Sequence, residues 1–392
     1  MDFRFSEELE RFRQEVKDFC ERELPRNWIL GDAFAEEALV TEEDWAFYHS
    51  FKRKLGEKGW LSIGWPKEYG GQESRLKFVI LDDEINYYGA PGLDEDVTYS
   101  IVTPTILAHC NEAQKKKHLP PLARGEVTWC EGFSEPNAGS DLAALSTRAV
   151  EQGDYFVVDG QKTWISVGWF AEWGIFLFRT DPDAPKHKGI SMFIVDISTP
   201  GITRNPIINQ LGHTTWGEIF FDGVRIPREN LIGEINKGWQ TAMSTLNTER
   251  SAMIWLAASR RCLDRMVAYV RERGSLAKNP IIRHRLAAMA ADVEVARLFC
   301  YYVEWMREQG KTPIHESSMA KLYAADLSVR IAEAGMEILG LYGQLKRGSA
   351  WAPVAGSVIE ALLGYPPWVI AGGSPEIQKN VIATMGLGLP HG

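Results

Sequence analysis

The 392-residue chain is poor in cysteine, in positive charge and in long apolar runs, and each shortage excludes something. Its five cysteines, Cys20, Cys110, Cys130, Cys262 and Cys300, form no CxxC pair and have no neighbouring histidine pair, so neither a zinc centre nor a disulfide framework is indicated. They read as reduced core residues. A formal net charge of −9 argues against the basic surface that nucleic acids require, while leaving room for a local phosphate pocket. The longest apolar runs, such as 175–178, fall far short of the roughly 20 residues that span a membrane. The first residues mix both charges with spaced aromatics and lack a signal-peptide core, which predicts a cytoplasmic location. Gly386-Leu387-Gly388 follows no strand and opens no helix, so it is no dinucleotide fingerprint, and there is no P-loop. Internal repeats are missing too. What is present is a globular composition, long enough for one large core or two to three smaller ones at about 100–200 residues per domain.

Along the chain the periodicity changes twice. Phe5, Leu9, Phe12, Val16 and Phe19 lie on one face of an amphipathic helix that Pro25 ends, and further helices are predicted at 43–58, 76–88, 103–110 and 112–118. After Gly125 come short alternating runs, 129–133, 155–158, 162–166, 174–179, 190–197 and 217–226, the signature of an all-β domain built as a small barrel or sandwich. Long helices return at 239–273, 280–309 and 314–341. The expected class is therefore α+β, with a helical domain at 1–126, a central β domain at 127–232 and a helical domain at 233–392.

Two stretches hold candidate chemistry. Phe133 to Asp141 strings small hydroxyls with Pro and Gly, which makes a tight loop, and 155–158 runs into Asp159-Gly160, a two-residue hairpin signal, before Trp164-Ile165-Ser166. There a Trp beside a hydroxyl either stacks on a flat ring or fills an ordinary core. Further on, Leu246, Glu249, Met253 and Leu256 step by three and four along one helix face, placing a carboxylate in line with apolar side chains. Either Glu249 points inward, where lost hydration raises its pKa toward general-base work, or it reaches water from the edge of that face.

Six segments, in order, resemble the acyl-CoA dehydrogenases: GWPKEYGG at 64–71, QKKKHLPPLARGE at 114–126, SEPNAGSD with GQKTWIS, GISMFIVDISTPGI at 189–202, the run from FFDGVRIPRENLIGE to GWQTAMSTLNTER at 250, and GGSPEIQKNVIA at 372–383. The resemblance implies an N-terminal helical domain, a β domain and a C-terminal four-helix bundle, with FAD as cofactor. It implies that Phe133, Ser134, Trp164 and Ser166 meet the flavin ring, Ser374 lies near it, and Ser140, Asn247 and Arg250 lie near the acyl-CoA. The family draws its catalytic carboxylate from one of two places. At the first, in the closing motif, this chain has Gly372; at the second, the L-x-x-E-R helix, it has Leu246 through Glu249-Arg250. The resemblance thus implies Glu249 as the base of an α,β-dehydrogenation, a branched, cyclic or bulky acyl group, and Gly372 as a backbone donor to the thioester oxygen.

The family's Arg-x-x-Phe-Gly and Gln-x-x-Gly-Gly segments are altered here. Arg273 is followed by Gly-Ser-Leu-Ala, and the later segment reads Glu337-Ile338-Leu339-Gly340-Leu341. Arg273 either binds the flavin pyrophosphate, with Gly340 in the second segment, or is a solvated helix-end charge. Also implied are an electron-transfer flavoprotein as acceptor, no metal, and a homotetramer or a heterotetramer with a related subunit. A non-catalytic subunit and a flavin oxidase or monooxygenase are the alternatives.

Overall fold

The computed structural model describes residues 5–25, 28, 41–93, 97–249 and 252–390, with backbone only for 247–249. Helices, then a sheet, then helices follow one another along the chain, as the periodicity predicts. The chain divides into two compact units, Leu39–Glu73 with Asp96–Glu249, and Met1–Ala38 with Ser74–Glu95 and Arg250–Gly392.

The first unit is organised by one eight-stranded sheet. Its strands are β1 (Trp129–Gly132), β2 (Arg148–Gln152), β3 (Tyr155–Ser166), β4 (Trp173–Arg179), β5 (Ile190–Asp196), β6 (Ile202–Ile207), β7 (Trp216–Pro227) and β8 (Leu231–Ile232). They run in the order β6-β7-β3-β2-β4-β5-β8, with β1 parallel to β4. Gly174 to Phe178 of β4 are all buried, as a nearly unbroken apolar run requires, whereas edge strand β6, which carries Pro206, is exposed at Thr203 to Pro206. Phe156, Phe176, Phe178, Phe193 and Phe221 form the centre of the core.

Three sequence expectations fail here. Asp159-Gly160 is not a hairpin turn: β3 passes straight through it, and the β2–β3 turn is at Gly153-Asp154, where Gly153 has φ +67°. Gly160 instead sits at a register shift against β7 with φ +143°, and a Cβ there would lie 2.7 Å from the Thr147 side chain, so the glycine serves close approach. The helix predicted at 112–118 continues as Glu112–Ala123 through Pro120 and Pro121, because the burial of Leu119 and Leu122 outweighs two lost donors in its last turn. The helix predicted at 239–273 is two helices, Gly238–Glu249 and Met253–Glu272, with Ala252 at φ +63° between them. Leu246, Glu249, Met253 and Leu256 therefore do not share one helix face.

The second unit is a helical bundle. His315–Leu339 is central to it, touching Met253–Glu272, Pro280–Glu308 and Ser357–Ile370 around a core that includes Met253, Leu256, Ala324 and Ile331. Glu7–Glu23 packs on Arg75–Tyr88, which packs on Met253–Glu272. Asp83 and Glu84, both buried, are neutralised there by Arg13, at 3.3 and 2.6 Å, and by Arg260 on Asp83. No single described helix is long and apolar enough to cross a membrane.

Candidate active site

The sequence expects a wall built from the Ser134 loop and the Trp164 strand, and the sheet unit brings the two together. The Thr163 amide donates to the Ser134 carbonyl at 3.0 Å. Beneath them Lys162, wholly buried, donates to the Phe133 carbonyl at 3.0 Å and to the Glu135 carboxylate at 2.7 Å. Glu135 also accepts from the Ser146 and Thr147 amides at 2.7 and 2.9 Å. Burial alone would push the Glu135 carboxyl up; the Lys162 ammonium and these donors outweigh it and hold the pKa at about 2. Burial draws Lys162 the other way, down to about 8, against the pull of Glu135. Glu135 and Lys162 were both inside quoted motifs, yet only their side-chain geometry reveals them as the joint of the wall.

Trp164 emerges from that joint on a second register shift of β3, between Lys162 and Ile165, with φ +59° and 60% of its surface exposed. A left-handed conformation is uncommon for a bulky residue and costs about 1–2 kcal/mol. Its other neighbour is the Trp216 ring, edge-on at 6.0 Å. The hydroxyls of Ser134 and Ser166 are half-buried and have no hydrogen-bond partner among the described residues. Phe133 is buried and Ser140 exposed. A flat heteroaromatic ring with polar edges fits an aromatic face flanked by two such hydroxyls.

Glu249 is the last residue of the Gly238–Glu249 helix, with Asn247 one half-turn earlier; Arg250 lies outside the described residues. The helix end is itself informative, because the negative end of the macrodipole lies at its final turn.

In the helical unit the closing motif forms a turn with φ +65° at Gly372 and +100° at Gly373, and Ser374 caps the Pro375–Val381 helix by accepting from the Ile377 amide at 3.4 Å. Arg273 is exposed at the end of Met253–Glu272 and lies over the Tyr269 ring of its own helix at 3.5 Å. Gly340 ends His315–Leu339 at φ +59° with open space around its Cα.

Family models for the acyl-CoA dehydrogenase N-terminal, middle and C-terminal domains match residues 6–126, 130–224 and 236–387. The chain belongs to the acyl-CoA dehydrogenase family. It is 34% identical over 357 residues to the acyl-CoA dehydrogenase FadE26 of Mycobacterium tuberculosis, covering 88% of each chain. Among solved structures it is similar to the Tcur3481-Tcur3483 steroid ACAD, at 33% identity and a TM-score of 0.92 over 100% of both chains. It is also similar to the ChsE4-ChsE5 complex from Mycobacterium tuberculosis, at 32% identity and 0.89 over 100% of both.

Acyl-CoA dehydrogenases are FAD-dependent oxidoreductases. No group of His, Cys, Asp and Glu able to hold a metal occurs among the described residues.

Proposed function

We propose that this acyl-CoA dehydrogenase converts an acyl-CoA thioester to the trans-2-enoyl-CoA, that Glu249 is its base, and that the acyl group is bulky, branched or cyclic. The observation that carries the choice of base is the closing turn. Position 372, where part of the family keeps its carboxylate, is a glycine at φ +65°, a backbone that a carboxylate residue would adopt only at a cost of about 1–2 kcal/mol. Glu249 is the carboxylate residue that closes its helix, in the L-x-x-E-R segment from which the other part of the family draws its base.

The chain's tasks then separate. Glu249 takes the proton from the carbon next to the thioester. The closing turn from Gly372 to Ser374 supplies backbone donors to the thioester oxygen as negative charge gathers there. Phe133, Ser134, Trp164 and Ser166 hold and cover the flavin, and the indole excludes water from the reacting carbons. FAD, when bound there, would supply the acceptor for the hydride that leaves the β carbon. Ser140, Asn247 and Arg250 are assigned to the acyl-CoA, Arg273 and Gly340 to the distal part of FAD, and an electron-transfer flavoprotein to reoxidation. The preference for bulky acyl groups draws on the helix-borne base and on the steroid ACAD likeness.

A second reading, in which the chain is one subunit of a heterotetramer, draws on the likeness to the ChsE4-ChsE5 complex. Anaerobic titration of the purified yellow protein with straight, branched and ring-bearing acyl-CoAs separates the readings. Bleaching, with an enoyl-CoA product two mass units lighter, is expected for the dehydrogenase. A protein that holds FAD only when mixed with a related subunit supports the second.

A further inference from the structure

The closing turn is gripped from behind by two buried side chains that the mechanism above leaves without a task. Lys321, 1% exposed on His315–Leu339, donates to the Gly373 carbonyl at 3.0 Å and to the Val369 carbonyl, and its ammonium faces the Trp255 ring at 5.4 Å. Gln378, fully buried on Pro375–Val381, donates to the carbonyls of Gly372 and Gly373 at 2.9 and 3.0 Å. A buried ammonium is costly, and an apolar chain of the same length would fill that space with no such penalty. The turn is shaped around the grip: at Gly373, φ is +100° and a Cβ would lie 2.7 Å from the Gln378 amide nitrogen.

Peptide planarity carries this to the opposite face of the turn. A carbonyl held toward Lys321 and Gln378 turns the N–H of the next residue away from them. With the Gly372 and Gly373 carbonyls so held, the amides of Gly373 and Ser374 point outward, and neither has an acceptor among the described residues.

We propose that Lys321 and Gln378 are positioning residues for catalysis: together they fix the Gly372 to Ser374 turn, and with it the Gly372 amide that the sequence assigns as donor to the thioester oxygen when the α proton leaves. This rests on the dehydrogenase reading. It differs from a purely structural role, because losing the grip should weaken stabilisation of the enolate-like charge more than binding of the neutral thioester.

The test uses the FAD-loaded full chain and the variants Lys321→Met and Gln378→Met. Two quantities are read: turnover of the acyl-CoA that bleaches the native flavin fastest, and the long-wavelength charge-transfer band that its 3-oxo analogue, once ionised, forms with oxidised flavin. The expected result is kcat lower by about 10²-fold with KM changed less than about threefold. Ionisation of the bound 3-oxoacyl-CoA should also move up by about one pH unit or more, a tenfold effect. A folded, FAD-loaded variant with native kcat and a native band overturns the proposal. Should Lys321→Met fail to fold, Gln378→Met decides alone. A native protein that no acyl-CoA bleaches overturns the dehydrogenase reading and this proposal with it, whereas native bleaching with unaffected variants overturns the grip alone.

Discussion

Lys162 and Glu135 are the residues on which the proposed flavin wall depends. Removing one partner of a buried pair strands the other, at a cost of about 3–5 kcal/mol. Lys162→Met is therefore expected to lower the melting temperature and to release FAD, measured by calorimetry and by the flavin retained after gel filtration. The pH dependence has a definite sign. The folded Glu135 carboxyl sits near 2, below its ordinary value of 4.5, so its contribution is fully present above pH 4.5 and is lost as pH falls through the folded value. Thermal melts of native protein and Glu135→Gln should accordingly differ at pH 6 and converge toward pH 2. Trp164 was legible as a residue type beside a hydroxyl, and its exposure sets aside the core-filling alternative. Its left-handed backbone was not legible, since nothing in the letters TWIS distinguishes a bulge from a regular strand. Lys321 and Gln378 were hidden for another reason: their partners are backbone carbonyls, which carry no sequence signal, and those of Lys321 are also distant along the chain.

The elements repeat that lesson at larger grain. Amphipathic period and caps located Glu42–Glu57, where Thr41 and Asp44 form a reciprocal capping box, to within a residue of the expected 43–58. The same reasoning overran at 239–273, because apolar spacing continues across a break beside which Ala252 takes a left-handed backbone. Asp159-Gly160 misled in the opposite direction. As a hairpin turn it would accept a small side chain at position 160; as a close-approach bulge it would not. Gly160→Ala is expected to destabilise the protein by about 1–3 kcal/mol, a fall in melting temperature of roughly 2–4 °C per kcal/mol, with the sheet otherwise intact by circular dichroism. An unchanged melt would restore the turn.

For the whole molecule, the open question is assembly. On Pro280–Glu308, Val295, Leu298, Tyr302 and Trp305 step by three and four along one face and are each 38–49% exposed, with Tyr302 and Trp305 stacked at 5.8 Å. An apolar stripe of this length on a long helix is suited to packing against another helix. We propose this stripe as a subunit contact of the implied tetramer, and Tyr302→Glu combined with Trp305→Glu is expected to reduce the mass measured by light scattering while leaving the helix content unchanged.

The central claim is that Glu249 removes the α proton. Its most direct test is rapid mixing of native protein and Glu249→Gln, both loaded with FAD and free of oxygen, with the acyl-CoA that bleaches the native flavin fastest. The account predicts rapid bleaching in the native protein and a rate at least about 10²-fold lower in the variant, as expected for loss of a general base. A variant that retains FAD and bleaches at the native rate would contradict it and send the search for the base elsewhere.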